Sequence, residues 1–365
     1  MKDASPQPYS LLPTPYSLLP TPSKKLLSSA FPNQQKTIVM KRRKFIKHSS
    51  LAVAGLGLGA WACNSPEAQS NNDKKAPSKG GMFFKISLAQ WSLHRALWDK
   101  KLDNLDFAAT AKNDYGIEAI EYVNQFFKDK AKDEAYLAEM KKRADDNGVR
   151  SLLIMVDGEG GLAETDDAVR KQSIENHYKW VDATAYLGCH SIRVNAFSSN
   201  PDPVAAAAAA ADGLGRLAEY AAKSNINVIV ENHGGFSSNG EWLSGVMELT
   251  AMDNVGTLPD FGNFCIRREN KDGNPWGGPC VEEYDRYKGV KELMPWAKGV
   301  SAKSYDFDEN GNCIETDYER MLKIVKDAGY TGYIGIEYEG DKLSEDEGIR
   351  KTKALLEKVG AKLGK

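Results

Sequence analysis

The feature that most constrains the fold is a regular alternation of short apolar segments and amphipathic segments from Phe83 to the C-terminus. The apolar segments predict eight strands, at residues 83–91, 116–123, 149–156, 189–196, 227–232, 255–261, 298–304 and 333–339. The segments between them have helical periodicity, as in EAYLAEMKKRADDNG, VAAAAAAADGLGRLAEYAAKSN and DYERMLKIVKDAGY. Gly or Asn repeatedly follows the last helical turn, as is typical of a helix C-terminus.

Eight strands that alternate with helices over about 280 residues match the size and rhythm of a (β/α)8 barrel. The main alternative is a doubly wound open sheet. No GxGxxG follows the first strand, and GLGLG at residues 55–59 lies in an N-terminal apolar run. We therefore predict an α/β fold, a single-domain (β/α)8 TIM barrel over residues 82–365.

The chain ahead of the barrel has the pattern of an export signal. Residues 9–22 form the tandem repeat YSLLPTPYSLLPTP, and Met40 begins MKRRKFIKHSSLAVAGLGLGAWACNS. This second stretch has a basic start, an apolar run and a small-residue exit, as a signal peptide does. We expect translation to start at Met40, residues 1–39 to be a wrongly assigned start or a disordered leader, residues 40–63 to be the signal, and residues 64–81 to be a flexible linker.

Two details of the signal indicate the destination. Arg42-Arg43 resembles a twin-arginine export signal. Ala60-Trp61-Ala62 ahead of Cys63 fits either a loose lipobox, with a lipid on Cys63, or an Ala-x-Ala cleavage site. The apolar run is too short for a typical membrane-spanning helix. The predicted location is therefore periplasmic, with membrane contact only through a lipid on Cys63.

Composition excludes several classes of partner and site. The 48 basic and 50 acidic residues leave a net charge of -2, so nothing favours nucleic acid or an anionic membrane surface. None of the five cysteines forms a CxxC pair, which argues against a zinc knuckle or a thioredoxin-like motif. Beyond Cys63, the other four cysteines could pair in an oxidising compartment, and their pairing stays open.

Polar side chains stand at or just past the end of every predicted strand, where the catalytic residues of a barrel lie. They are Gln90, Glu121, Asp157, Arg193, Asn195, Glu231, Asp260, Lys303 and Glu337. Glu231, Asp260 and Glu337 each follow an apolar run, where an unpaired charge is costly to bury. Clustered carboxylates repel unless a cation lies among them, and either a hard divalent ion or a lysine can serve.

Three motifs in order, VIVENHGG, LPDFGN and DYERMLKIVKDAGYTGYIGIEYEG, carry a resemblance to a known family. From about Phe83 to the C-terminus, the chain resembles the sugar phosphate isomerase/epimerase superfamily. This is the xylose isomerase-like barrel group, which also contains the AP endonuclease relatives.

The resemblance implies a metal site. In metal-dependent epimerases of the group, Glu, Asp, His and Glu from strands five to eight hold the ion. Glu231, Asp260 and Glu337 match this pattern, but the histidine position falls at Ser301. The resemblance therefore implies a divalent metal, Mn²⁺ or Mg²⁺. Either His233, Asp306 or water completes its shell, or the Lys303 ammonium takes the cation's place.

The implied reaction is sugar isomerisation or epimerisation through an enediolate, with Glu231 and Glu337 as the proton-transfer pair. Lys303 is predicted as a cationic catalyst or as a salt-bridge partner of Asp260 or Glu337. The expected partner is a small-molecule sugar. Predicted substrate-binding residues are His233, Asn263, Glu121, Arg193 and Arg267. Trp91 and His94 are expected in the pocket wall, and Trp98 in the core.

Three other functions are alternatives to this one. A lyase or hydrolase of 3-keto-glycosides needs the same base and cation, and export suits glycoside breakdown. A non-catalytic sugar-binding lipoprotein would dispense with the metal, although the three retained carboxylates argue against it. Phosphodiester cleavage of the AP endonuclease type needs several histidines at the mouth, and the chain has five histidines in all.

Overall fold

The computed structural model describes residues 81–269 and 277–364. The predicted leader, the signal peptide with Arg42-Arg43 and Cys63, and all but the last residue of the linker lie outside these residues. No helix in the described part of the chain is long and apolar enough to cross a membrane.

Eight parallel strands, β1–β8, form one sheet. They span Lys85–Ala89, Ala119–Val123, Arg150–Met155, Ser191–Val194, Asn227–Glu231, Val255–Leu258, Val300–Ser304 and Tyr333–Tyr338. Their order is β6-β5-β4-β3-β2-β1-β8-β7, and parallel bridges between Thr257 and Ala297 and between Asp260 and Ser301 join the outer strands β6 and β7. The predicted barrel and all eight predicted strands are confirmed, and each strand is shorter than its predicted range. The doubly wound alternative is wrong.

Nine α-helices, α1–α9, occur in the described residues. They span His94–Trp98, Phe107–Tyr115, Glu134–Asp146, Asp167–Tyr186, Pro203–Ala222, Gly240–Thr250, Arg286–Leu293, Tyr318–Asp327 and Glu345–Leu363. Short 3-10 turns lie at Gln90–Leu93, Asn104–Asp106, Asn124–Lys130, Gly235–Ser238 and Met294–Trp296. Several helices begin at an aspartate whose carboxylate accepts N–H groups of the first turn, as at Asp166, Asp202 and Asp317. These caps fix where each connection ends and its helix begins.

The barrel interior has its own small apolar cluster, separate from the larger core between strands and helices. It consists of Ala89, Val123, Leu153, Met155, Ile229 and Leu258. The partly buried rings of Trp91 and Phe126 pack against this cluster from the loops that follow β1 and β2. The carboxyl ends of the strands therefore open onto a mouth whose floor is apolar, and this is the end at which barrel enzymes place their sites.

An antiparallel hairpin between β6 and α7 is an addition that the strand pattern did not predict. Its strands are Cys265–Arg268 and Cys280–Glu283, and a disulfide joins Cys265 to Cys280. The residues of the hairpin are largely exposed, so it lacks the apolar run that marks a barrel strand. Among the described cysteines, Cys189 and Cys313 are buried free thiols.

Candidate active site

Three carboxylates from different strands meet at the carboxyl end of the barrel. Glu231 ends β5, Asp260 lies just past β6, and Glu337 is the penultimate residue of β8. One oxygen from each lies within 4.8 Å of the others, and all three side chains are buried. The cyclic strand order brings them together, although they are far apart in sequence.

Neutral groups orient this acid cluster. Asp260 Oδ1 accepts hydrogen bonds from the backbone N–H groups of Gly262 and Asn263, both at 2.8 Å. The Asn263 side-chain amide donates to Glu231 Oε1 at 3.0 Å, and the Ser301 hydroxyl donates to Glu337 Oε2 at 3.0 Å. A hydroxyl has one proton. While Ser301 donates to Glu337, the buried Oδ2 of Asp260 has no hydrogen-bond partner among the described residues.

Lys303, in β7, forms the first of two buried ion-pair groups at the cluster. Its Nζ lies 2.8 Å from Glu337 Oε1 and 2.7 Å from Glu339 Oε2. Burial disfavours the ammonium, but the charges of Glu337 and Glu339 outweigh it and hold the pKa of Lys303 well above its ordinary value. The predicted salt bridge between Lys303 and Glu337 is therefore present, and the lysine stays charged.

Arg193, in β4, forms the second group. Its Nη1 lies 2.7 Å from Asp157 Oδ1, and its Nε lies 2.8 Å from Glu231 Oε2. Burial would raise the pKa of Asp157, but Arg193 more than offsets this and the pKa falls below its usual range. Arg193 therefore connects the acid cluster to the polar groups that follow β3 and β4.

Negative charge exceeds positive charge in this connected site. Within the described residues it contains two cations, Arg193 and Lys303, and five carboxylates, on Asp157, Glu231, Asp260, Glu337 and Glu339.

Two of the five carboxylates have raised pKa values. Burial raises the pKa of Glu231 well above its ordinary value, against the opposing charge of Arg193. Burial likewise raises the pKa of Asp260 to about 6, against the charge of Lys303. Glu339 differs, because Lys303 overcomes burial and lowers its pKa to about 2. A further cation beside Glu231 and Asp260 would balance the site.

His233, one of the predicted substrate-binding residues, lies beside the Arg193 group. Its Nδ1 is 3.1 Å from Asn195 Oδ1, and Asn195 in turn donates to Asp157 at 2.7 Å. Burial, with Arg193 adding to it, lowers the pKa of His233 to about 4. The imidazole is therefore neutral near pH 7. His233 is not part of the carboxylate cluster that could hold an ion.

Glu121 lies on the amino-end side of the acid cluster, within reach of the charges of Glu337 and Arg193. It is buried inside the barrel, accepts a hydrogen bond from Ser87 at 2.7 Å, and lines a cavity of about 200 Å³ with His190 and Gly332, near the amino ends of β4 and β8. Burial raises the pKa of Glu121 to about 7. A Cβ added at Gly335 would lie 2.6 Å from its Oε1, so a glycine there makes room for it.

Two other predicted residues also lie apart from the cluster. Arg267 is on the exposed hairpin, with its Nε 3.4 Å from Glu282 Oε2. Asp306, considered as a fourth ligand, pairs with Lys342. Among the predicted binding residues, the structure thus brings Asn263, Arg193 and His233 to the site but not Glu121 or Arg267.

Two features of the mouth differ from the sequence analysis. Glu339 was not predicted, although it stands two residues after Glu337 and alternate strand residues share a face. The expectation that Trp98 belongs to the core is wrong, since its exposed fraction is 53%. It is the last residue of the five-residue helix α1 at the mouth, and it packs its ring against Trp91 and Phe126 instead.

An eight-stranded parallel barrel with a buried acidic cluster at the carboxyl ends of its strands belongs to the class of TIM-barrel proteins with a polar mouth. A sequence model described as "xylose isomerase-like TIM barrel" matches residues 107–359. The chain belongs to this family.

A curated relative matches over a short stretch. The 3'-dehydrocarminate deglycosidase alpha subunit of a Microbacterium species is 46% identical over 57 residues, 16% of this chain and 16% of the relative. The match therefore spans about a sixth of the relative's length.

Solved structures match over most of the chain. One is a D-psicose 3-epimerase in the presence of D-fructose, with TM-score 0.53, 16% identity, and coverage of 76% of this chain and 100% of that chain. Another is a xylose isomerase-like TIM barrel protein from Mycobacterium smegmatis in complex with magnesium, with TM-score 0.52, 14% identity, and coverage of 76% and 97%. At these identities the two structures show the shared fold alone.

The contacts of Lys303 generate a stability prediction. Lys303→Met removes the cation from two carboxylates, one of them buried, and should lower the free energy of unfolding by about 3–5 kcal/mol in urea denaturation. Adding Glu337→Gln to Lys303→Met should recover part of the loss. The control Lys101→Met breaks an exposed pair with Asp99 and should cost less than about 1 kcal/mol. An equal, small effect of both lysine variants would contradict the buried pairing.

Proposed function

We propose that the protein is an isomerase or epimerase that transfers a proton at a carbon next to the carbonyl of a sugar or keto-sugar. The observation that carries this proposal is the buried cluster of Glu231, Asp260 and Glu337 at the carboxyl end of the barrel. Membership of the xylose isomerase-like family and the fold shared with a D-psicose 3-epimerase support it.

Glu231 and Glu337 are the proposed proton-transfer pair. One carboxylate takes the proton from the carbon, and the electron pair moves onto the carbonyl oxygen to give an enediolate. The other carboxyl group then returns a proton to the opposite face or to the neighbouring carbon. Burial raises the pKa of Glu231, and a cation held by the cluster would oppose this shift and keep the carboxylate ionised as the base.

A divalent cation, Mn²⁺ or Mg²⁺, fits the same residues. Glu231, Asp260 and Glu337 would hold it, since they offer oxygen donors and an excess of negative charge. Among the described residues, Asp260 Oδ2 also has no hydrogen-bond partner while Ser301 donates to Glu337. Such an ion supplies polarisation of a carbonyl and stabilisation of negative charge on oxygen. Ser301 orients Glu337 by its hydrogen bond, in place of the histidine ligand that the family resemblance implies.

Lys303 is also proposed to act on the carbonyl oxygen of the substrate. Its ammonium is fixed between Glu337 and Glu339 and stays charged, so it stabilises negative charge without donating its proton. Glu339 holds it there, and the Trp91 indole N–H donates to Glu339 at 2.7 Å.

A second candidate is a lyase that acts on 3-keto-glycosides. The stretch shared with a deglycosidase alpha subunit favours it. The first step is the same, because a base removes the proton next to the ketone. The electron pair then expels the group on the next carbon instead of being reprotonated, and the leaving group takes up a proton.

Isotope exchange tests the proposal. The protein is incubated with Mn²⁺ in heavy water together with free keto-sugars and 3-keto-glycosides, and the sugars are analysed by NMR. We expect deuterium at the carbon next to the carbonyl without bond cleavage. Glu231→Gln and Glu337→Gln should each slow exchange by about 10²–10⁴-fold. Glu248→Gln, on an exposed position of α6, is the control and should change nothing.

Other outcomes of this experiment contradict the proposal. Release of an aglycone would establish the lyase instead. Absence of both exchange and release would favour the non-catalytic sugar-binding protein.

We also propose that the protein works outside the cytoplasm. The signal-like sequence from Met40 supports this, and so does the Cys265–Cys280 disulfide, because disulfides persist in oxidising compartments. Cells producing the full chain are fractionated and the thiols mapped by mass spectrometry. We expect an extracytoplasmic pool with Cys265 joined to Cys280, and Cys189 and Cys313 as thiols. A wholly cytoplasmic, reduced pool contradicts export.

The same fractions decide between the two interpretations of Cys63. Membrane association that Cys63→Ser abolishes indicates a lipid anchor. A soluble extracytoplasmic protein with or without this substitution indicates cleavage.

A further inference from the structure

Four rings form a continuous surface on one side of the mouth. This aromatic cluster consists of Trp91, His94, Trp98 and Phe126, from the connections that follow β1 and β2. His94 stacks on Trp91 with 4.9 Å between ring centroids, and Trp98 meets Trp91 edge-on at 5.2 Å. Phe126 lies 6.2 Å from Trp91 and 6.0 Å from Trp98. The three clustered carboxylates come from β5, β6 and β8, so the mouth has an aromatic side and an acidic side.

Hydrogen bonds and ion pairs connect the two sides directly. The Trp91 indole N–H donates to Glu339 Oε1 at 2.7 Å, and the other oxygen of Glu339 lies 2.7 Å from Lys303 Nζ. Lys303 in turn contacts Glu337 at 2.8 Å. Trp91 is therefore the aromatic ring adjacent to the acidic site.

Trp98 lies one ring further out. It is 53% exposed, while Trp91 is partly buried and packs on the apolar floor of the barrel. Single exposed apolar side chains are ordinary on a protein surface. Trp98 differs from those because it ends a continuous row of rings that begins at the acidic site.

We propose that the aromatic cluster is a subsite for a second ring, so that the substrate is a glycoside rather than a free monosaccharide. The reacting sugar contacts Trp91 beside Glu339, and the ring linked to it stacks on the exposed Trp98. A sugar ring presents a face of C–H groups, and an aromatic ring presents a face of π-electrons. An indole ring can pack against either face. This inference rests on the proposed function, because it places the reacting sugar at the carboxylates.

The row of rings determines where the two parts of the ligand lie, with the reacting sugar at Trp91 and the second ring at Trp98. A monosaccharide at the carboxylates has Trp91 as its neighbour and leaves Trp98 in water. A second ring removes Trp98 from water, and burial of that apolar surface adds affinity. The subsite therefore selects for a substituent on the sugar without taking part in the proton transfer.

Binding measurements on Glu231→Gln protein, in which proton transfer is expected to be about 10²–10⁴-fold slower, test the subsite with little turnover. Dissociation constants for methyl and phenyl 3-keto-β-glucoside are measured by calorimetry in the presence of Mn²⁺. We expect the phenyl compound to bind about tenfold more tightly. Equal affinity for the two compounds would overturn the proposal.

Variants then assign the preference to Trp98. Trp98→Ala should remove the preference for phenyl and leave the affinity for the methyl compound unchanged, and Trp98→Phe should keep most of the preference. Tyr186→Ala is the matched control, an exposed aromatic residue at the end of α4 and outside the aromatic cluster. A preference that survives Trp98→Ala contradicts the role of this ring.

The two proposals fail in different ways. If isotope exchange is absent but the phenyl preference depends on Trp98, the proposed reaction is wrong and the subsite stands. If exchange occurs and the preference is absent, the reaction stands and the subsite is wrong.

Discussion

The burial of three carboxylates at one end of the barrel is the constraint on which the rest of the site depends. Glu231, Asp260 and Glu337 repel one another, and burial removes the water that would otherwise solvate them. Arg193 and Lys303 offset part of this cost, each by a pair of short contacts. The raised pKa values of Glu231 and Asp260 show where compensation is incomplete. The same imbalance makes the cluster suitable for holding a cation and for moving a proton.

Ser301 stands where the family resemblance implies a histidine, and it leaves the acid cluster in place. Ser301 supplies one hydrogen bond to Glu337, and Lys303, two residues on along β7, supplies a fixed positive charge to the same carboxylate. An oxygen-only donor set favours a hard divalent ion over one that prefers nitrogen or sulfur ligands. The site therefore combines a lysine and a set of carboxylates suited to an ion.

Much of this architecture could be predicted from the sequence. Each barrel strand is a short apolar run because both of its faces are buried. A charge at the end of such a run implies a special environment, so Glu231, Asp260, Lys303 and Glu337 could be predicted as site residues.

The remaining features depend on tertiary contacts. The height of Glu121 along the barrel axis depends on the register of β2 against β3, which shifts between Ile120 and Glu121. It also depends on the absence of a side chain at Gly335, which leaves room for the Glu121 carboxylate. The two hairpin strands, Cys265–Arg268 and Cys280–Glu283, are joined by a disulfide and lack an apolar pattern. Trp98 is a large apolar residue of the kind that a sequence pattern assigns to the core. Only the short helix after β1 places it at the mouth.

The central claim is that the carboxylate cluster is a cation site within a proton-transfer centre. Anomalous diffraction at the manganese edge, from crystals grown with Mn²⁺, tests this most directly. We expect one strong peak within bonding distance of Glu231, Asp260 and Glu337, and no such peak in crystals of Asp260→Asn. A map with no peak, in which the Lys303 ammonium fills the space among the three carboxylates, would contradict it.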